Sequence, residues 1–354
     1  MNPSNLKNLL NVMIPAREPI LIVGAPGIGK TECVQQACLE LGVDLMISHP
    51  VTKERIDYAG LPGIVDGQAE FLPYGDLRRM MAADRPLCVL MDDLGQSDVD
   101  VQKPLMQLIQ QRTIGEHAIS DHVGFIAATN DTTHRSAVAG LIEPLKSRFA
   151  SIVHCTVSPE QWISDWLIGR SGLPARTMEL GAGFVAARPN LLSAFEPTKE
   201  LRNSGSPRTI AALLRHHARL AGSALPETVV SEVYAGAVGQ GIALEFEAYM
   251  QKAHKLIDPA KVLAAPTTAP IPDDPDVLFA AGTSLAHYVR IPLLDAYCVY
   301  LDRLRKAGHA DHVGASMRQA IAMFKARKEK MSQQKPFIDW TIRNADLLFN
   351  TAHD

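Results

Sequence analysis

Gly24-Ala25-Pro26-Gly27-Ile28-Gly29-Lys30-Thr31 decides how the rest of the chain is read. It follows the apolar run Pro19-Ile20-Leu21-Ile22-Val23, which reads as a strand buried on both faces. It precedes the stretch from Glu32 to Leu41, which reads as a helix stopped by Gly42. A glycine loop between a buried parallel strand and a helix is the setting in which this spacing cradles phosphate. The glycines allow backbone N–H groups to turn inward, and the helix N-terminus adds a field that favours anions. Lys30 is placed to reach the β- and γ-phosphates, and Thr31 to turn its hydroxyl toward Mg²⁺.

Working outward, Pro86-Leu87-Cys88-Val89-Leu90-Met91-Asp92-Asp93 is an almost wholly apolar strand that ends in two carboxylates. In open α/β sheets ligand chemistry gathers at the carboxyl ends of strands. Beside a phosphate loop, Asp92 fits the acidic residue on the Mg²⁺ side, and Asp93 the base that orients water for attack on a γ-phosphate. The competing reading is that both aspartates cap the next helix. Gly124 to Asn130 is another buried strand with a polar end, where Asn130 fits either orienting the attacking water or capping the next segment. Arg148 follows a short helix and, taken alone, reads as a surface charge. Ser206 caps a helix that Pro207 begins, so Arg208 lies in its first turn. There the helix field disfavours a cation unless an anion compensates, either a phosphate or the partner of a surface salt bridge.

The intervening stretches carry further elements, among them a hairpin that is either surface decoration or a substrate contact. Asp66-Gly67 between short apolar runs predicts a hairpin, and Arg112 to Val123 predicts a second. Ser4 to Met13 predicts a short amphipathic helix capped by Ser4. From Ser158 onward the pattern turns helical. Ala264 to Asp276 holds four prolines and reads as a loop or linker, and Lys325 to Lys330 as a solvated basic helix face.

Length and composition narrow the classes. The 354 residues suffice for two or three domains with sizeable cores. A net charge of −3 implies no global attraction to nucleic acid. The five cysteines include no Cys-x-x-Cys pair, and the histidines lack zinc spacing. No run is long and apolar enough for a bilayer, and no signal pattern opens the chain, so a cytoplasmic protein is expected.

Taken together, Gly24 to Thr31, Leu87 to Asp93, Asn130, Leu145 to Phe149 and Gly205 to Arg208 occur in one order with matching spacing. In this the chain resembles AAA+ ATPases, and most of all the MoxR group, over about residues 1–245. The resemblance implies an α/β fold: a P-loop AAA+ parallel sheet flanked by helices over residues 1–157, then an all-helical lid over 158–245. Residues 246–354 match nothing in that pattern and read as a helical C-terminal extension. The likeness further implies ATP with Mg²⁺, Asn130 as sensor 1, Arg148 as an arginine finger reaching a neighbouring subunit, and Arg208 as sensor 2. It implies that the hairpins near 64–71 and 114–119 face the pore or substrate side of a homo-oligomeric, hexameric ring. A protein substrate and a partner with a von Willebrand factor A domain follow from the same likeness. The family usually carries Asp-Glu where this chain has Asp92-Asp93, one methylene shorter, which implies slower turnover. A nucleic-acid motor and a nucleotide-switched scaffold are the rival expectations; the basic run at 325–330 motivates the first and Asp93 the second.

Overall fold

The computed structural model describes residues 1–115, 117–131, 140–196, 200–253 and 258–349. Two units result. The first spans Met1–Val157 and takes in Phe195 and Glu196, and the second spans Ser158–Ala194 and the chain from Glu200 onward.

The first unit opens with α1 (Pro3–Ala16), β1 (Ile20–Val23), α2 (Lys30–Leu41) and β2 (Asp44–Ser48). Next come α3 (Arg55–Ala59), β3 (Leu61–Val65), β4 (Gln68–Leu72), α4 (Asp76–Met81), β5 (Leu87–Met91) and α5 (Val99–Gln111). It closes with β6 (Thr113–Ile114), β7 (His117–Ala118), β8 (Val123–Thr129), α6 (Glu143–Lys146) and β9 (Ser151–His154). Among the described residues five strands form one sheet in the order β2-β5-β8-β1-β9. Every pairing in it is parallel. The alternation of the strand side chains explains why the runs are apolar throughout. Leu87, Val89 and Met91 face one core with Val123, Phe125 and Ala127, while Cys88 and Leu90 face the other with Ile126 and Ala128. A strand covered on both faces has no polar side to show.

The β3–β4 hairpin stands outside this sheet and turns at Asp66 and Gly67, with φ of 51° and 83°. Two successive left-handed residues make the tight turn expected of Asp-Gly. Its apolar side chains face out, with Ile64 79% and Phe71 50% exposed. The second hairpin, β6–β7, is also present; Glu116 at its turn lies outside the described residues. Asn2, not Ser4, caps α1: its side chain accepts from the N–H of Asn5, because Pro3 takes the first helical position.

In the second unit α7 (Pro159–Gln161) runs into a π-helical stretch, Trp162–Ile168, and α8 (Ala175–Ala187) follows. Then come α9 (Pro207–Leu220), α10 (Glu227–Val238), α11 (Gln240–Ala253), α12 (Pro259–Ala264) and α13 (Pro275–Tyr288). The last helices are α14 (Leu294–Lys306), α15 (Ala310–Ala326), α16 (Lys335–Arg343) and α17 (Ala345–Phe349). The proline-rich stretch is no free linker. Ala269 is buried, Tyr300 donates to the carbonyl of Pro270 at 2.9 Å, and Arg303 to those of Pro266 and Ala269. Prolines deny the stretch a regular ladder, so its carbonyls find side-chain donors instead. The basic run is likewise not all solvated. Arg327 donates to the carbonyls of His287 and Val289, which end α13, and lies 4.7 Å from the Phe324 ring centre.

Candidate nucleotide-binding site

The glycine loop leaves the carboxyl end of β1, between β8 and β9 in the sheet. Gly27 and Gly29 have φ of 76° and 97°, a conformation that side chains with a Cβ rarely adopt. A Cβ at Gly24 would lie 2.6 Å from the carbonyl oxygen of Cys155, so that approach admits no side chain. Gly29 is the N-cap of α2 and offers no side-chain cap. Among the described residues the N–H groups of Gly27 and Gly29 have no acceptor. Donors left open at an uncapped helix start, inside a turn of alternating hand, form a concavity suited to an anion.

Lys30, only 6% exposed, directs Nζ to the carbonyls of Gly24 (2.8 Å) and Ala25 (3.1 Å) and to Asn130 Oδ1 (2.9 Å). Parallel pairing explains the meeting with Asn130: Val23 lies opposite Thr129, so the two strands end level. The Thr31 hydroxyl donates to Asp92 Oδ2 at 2.7 Å. Asp92 is 9% exposed, and its second oxygen accepts the N–H of Asp93 at 3.1 Å. A hydroxyl and a carboxylate brought together at a strand end are hard oxygen donors, which fit Mg²⁺. Asp93 is half-buried and left-handed, with φ 55° and ψ 33°. That bend, tolerated by aspartate better than by most residues, turns the backbone sharply between the two carboxylates.

Four sequence-selected positions thus form two hydrogen-bonded pairs, Lys30 with Asn130 and Thr31 with Asp92, on consecutive residues of α2, with Asp93 adjacent. Arg148 is placed elsewhere. It donates from Nε to the carbonyl of Met106 at 3.2 Å and from Nη1 to that of Pro144. Ala150 pairs with Pro19, five residues before the loop begins, so Arg148 sits at the amino end of the sheet. At about 3.3 Å per residue, the Pro19 to which Ala150 is bonded stands about 16 Å along the strand from the start of the loop. Arg208 lies in the second unit, exposed in the first turn of α9, where Ser206 and Thr209 form a capping box. The sequence reading missed one polar group near the site. Ser48, the last residue of β2, is buried and bonded to Tyr58 and Asp76. A serine following the apolar run Leu45-Met46-Ile47 was the available signal.

The strand order, the glycine loop after β1 and the acidic end of β5 define an α/β fold with a parallel sheet and a P-loop-like glycine turn. Among solved structures, that of a proline-to-glycine point mutant of RuvB from Thermotoga maritima is similar at 19% identity, covering 87% of this chain and 89% of that one, with a TM-score of 0.42. The Thermotoga maritima structure titled RuvB Holliday junction branch migration motor is similar at 17% identity, over 86% and 87%, with a TM-score of 0.40. No family model matches the chain. No curated protein matches it either. Among the described residues no helix is long and apolar enough to cross a membrane.

Proposed function

We propose that the chain is a ring-forming AAA+ ATPase of the MoxR kind, which couples ATP hydrolysis to the remodelling of a protein target. The observation that carries this is the convergence of Lys30, Thr31, Asp92 and Asn130 at the carboxyl ends of β1, β5 and β8. Residues 24–31 hold the triphosphate: the N–H groups of Gly27 and Gly29 meet its oxygens, and Lys30 turns from the loop carbonyls to the β- and γ-phosphates. Thr31 directly, and Asp92 through water, hold Mg²⁺, whose charge offsets that gathering on the phosphate oxygens. Asp93 orients the attacking water and accepts its proton, and Asn130 fixes the water's position.

Arg148 precedes β9 where the chain enters the sheet at its amino end, away from the end at which its own loop opens. Its place at the opposite end of the sheet supports the reading that it serves a neighbouring copy, as an arginine finger does. Such a finger requires assembly, and we take the assembly to be a hexameric ring. Arg208, in a first turn where a cation needs an anion, is assigned to the γ-phosphate as the sensor of a helical lid over residues 158–245. Residues 246–354 are assigned to docking or oligomerisation. The exposed Ile64 and Phe71 support a hairpin that touches the protein target. A partner with a von Willebrand factor A domain belongs to this same reading. Five free, buried cysteines support a reducing, cytoplasmic setting.

The test is ATPase rate against protein concentration, with assembly mass measured in the same nucleotide. Turnover per chain rises steeply as rings form; a rate per chain that is flat while mass changes overturns the shared site. Stimulation by DNA or RNA that collapses with salt replaces the protein target with a nucleic acid. Negligible turnover in the assembled ring leaves a nucleotide-switched scaffold.

A further inference from the structure

The β3–β4 hairpin joins the first unit through two short legs, and both are clasped. Tyr74, after β4, donates its hydroxyl to Oδ1 of Asp57, before β3, at 2.8 Å. Tyr58, also on the entry leg, is buried, and its hydroxyl lies 2.7 Å from Ser48 Oγ. Ser48 Oγ donates to Oδ2 of Asp76, the first residue of α4 on the exit leg, at 3.2 Å. Lys53 Nζ is 3.3 Å from the same oxygen. A serine hydroxyl has one proton to give. With that proton on Asp76, the phenol must be the donor to Ser48. Burial raises the Tyr58 phenol above its ordinary value, so it keeps that proton.

Ser48 also touches the candidate site through its backbone. Its carbonyl accepts the N–H of Asp92 at 2.9 Å, and the Asp92 carboxylate takes the Thr31 hydroxyl. Contacts of hydrogen-bond length therefore run unbroken from the first turn of α2, through the strand ends, to both legs of the hairpin. Breaking one bond would leave a buried hydroxyl unpaired, at a cost of about 1–3 kcal/mol. The cheaper response to a shift at Asp92 is for the hairpin base to move with it.

We propose that Ser48 and Tyr58 are positioning residues that tie the strand end carrying Asp92 to the base of the β3–β4 hairpin. Nucleotide entering the loop and displacement of the hairpin are then one coupled equilibrium. This rests on the nucleotide reading of the site given above.

The test is hydrogen exchange of amides 61–72 in the full chain, with and without ATP and Mg²⁺. In the unsubstituted chain ATP changes their exchange. Tyr58→Phe removes one oxygen; it keeps ATP affinity within about two-fold and loses most of the exchange response. Ser48→Ala does the same, and the double variant loses no more than either single one, because both cut one link. A merely structural role would not separate retained affinity from a lost response. Should Tyr58→Phe fail to fold, as judged by its melting, Ser48→Ala decides on the same criterion. Full response in the folded variant overturns the coupling, as does ATP binding without any hairpin response in the unsubstituted chain. Failure of the unsubstituted chain to bind ATP removes the nucleotide reading itself, and the coupling with it.

Discussion

Lys30 gives all three of its protons to fixed acceptors, two of them carbonyls of the loop it serves. The ammonium is thus held in place, in a buried setting where an unpaired charge is costly, by bonds that phosphate oxygens can replace. Charge-assisted bonds are worth about 1.5–3 kcal/mol each, so Lys30→Ala should lower ATP affinity by roughly 10–100-fold or more. Calorimetric titration checks this, and affinity kept within a few-fold would remove Lys30 from the phosphate site. Asp93 calls for a different measurement. Asparagine keeps the shape and loses the basicity, so Asp93→Asn should bind ATP as the unsubstituted chain does while turnover falls by about 10²–10⁴. Undiminished hydrolysis would clear Asp93 of a part in the chemistry. Asp93 sits in a left-handed turn, which a longer side chain tolerates less well than aspartate does. That gives a physical reason for the missing methylene relative to the Asp-Glu pattern.

At the scale of elements, the capping device at α9 was legible in Ser206-Pro207, and the structure completes it: the Thr209 N–H donates to Ser206 Oγ, and the Ser206 N–H to Thr209 Oγ1. Ser206→Ala should destabilise the second unit by about 1 kcal/mol, read as a lower urea midpoint; a loss below a few tenths would mean the helix start is held by packing alone. The main strands were equally legible, because apolar runs between glycine and polar punctuation leave little choice. The hairpin at Asp66-Gly67 was legible because only a few residue pairs take that turn. The π-helical stretch at Trp162–Ile168 was not, since its register depends on packing that no local periodicity records. Nor was the bond between Lys30 and Asn130, which needs the strand order before the two residues become neighbours. The proline stretch misled because its prolines mark irregular backbone without saying whether that backbone is docked. α13 adds a pH-dependent term. His287, near its C-terminus, is held neutral by burial and by the nearby Arg327 and Arg290 against the pull of Glu179, and its pKa falls to about 4. The unfolded chain titrates near 6.5, so it binds the extra proton first. Stability from this group is complete above pH 6.5 and is lost as pH falls from 6.5 toward 4, by at most about 3 kcal/mol. His287→Gln should flatten that part of the second unit's urea-midpoint profile; an unchanged slope would mean another group sets it.

At the scale of the whole molecule, the arginine-finger reading proposed for Arg148 would make one chain an incomplete enzyme. Its guanidinium is anchored to the backbone carbonyls of Met106 and Pro144, Ala150 two residues on pairs with Pro19 at the amino end of β1, and the phosphate loop opens at the other end of that strand. On the proposed reading a lone chain binds ATP with Lys30 and Mg²⁺ but lacks the neighbour's guanidinium, which adds to the stabilisation of the charge that spreads over the γ-oxygens in the transition state. Supplied by a neighbour, such a group is worth about 10³–10⁵ in rate. Two inactive variants then become complementary. Arg148→Ala keeps its loop and lacks a finger; Lys30→Ala keeps its finger and cannot hold nucleotide. In a mixed ring, an intact loop faces an intact finger wherever an Arg148→Ala chain meets the correct face of a Lys30→Ala chain. Random mixing at equal amounts gives that junction one time in four, so activity should return to about a quarter of the unsubstituted level. The measurement is phosphate release across mixing ratios, with mixed rings verified by mass. A maximum near equal ratio supports a shared site, whereas verified mixed rings with no recovery would place the missing cation within the same chain.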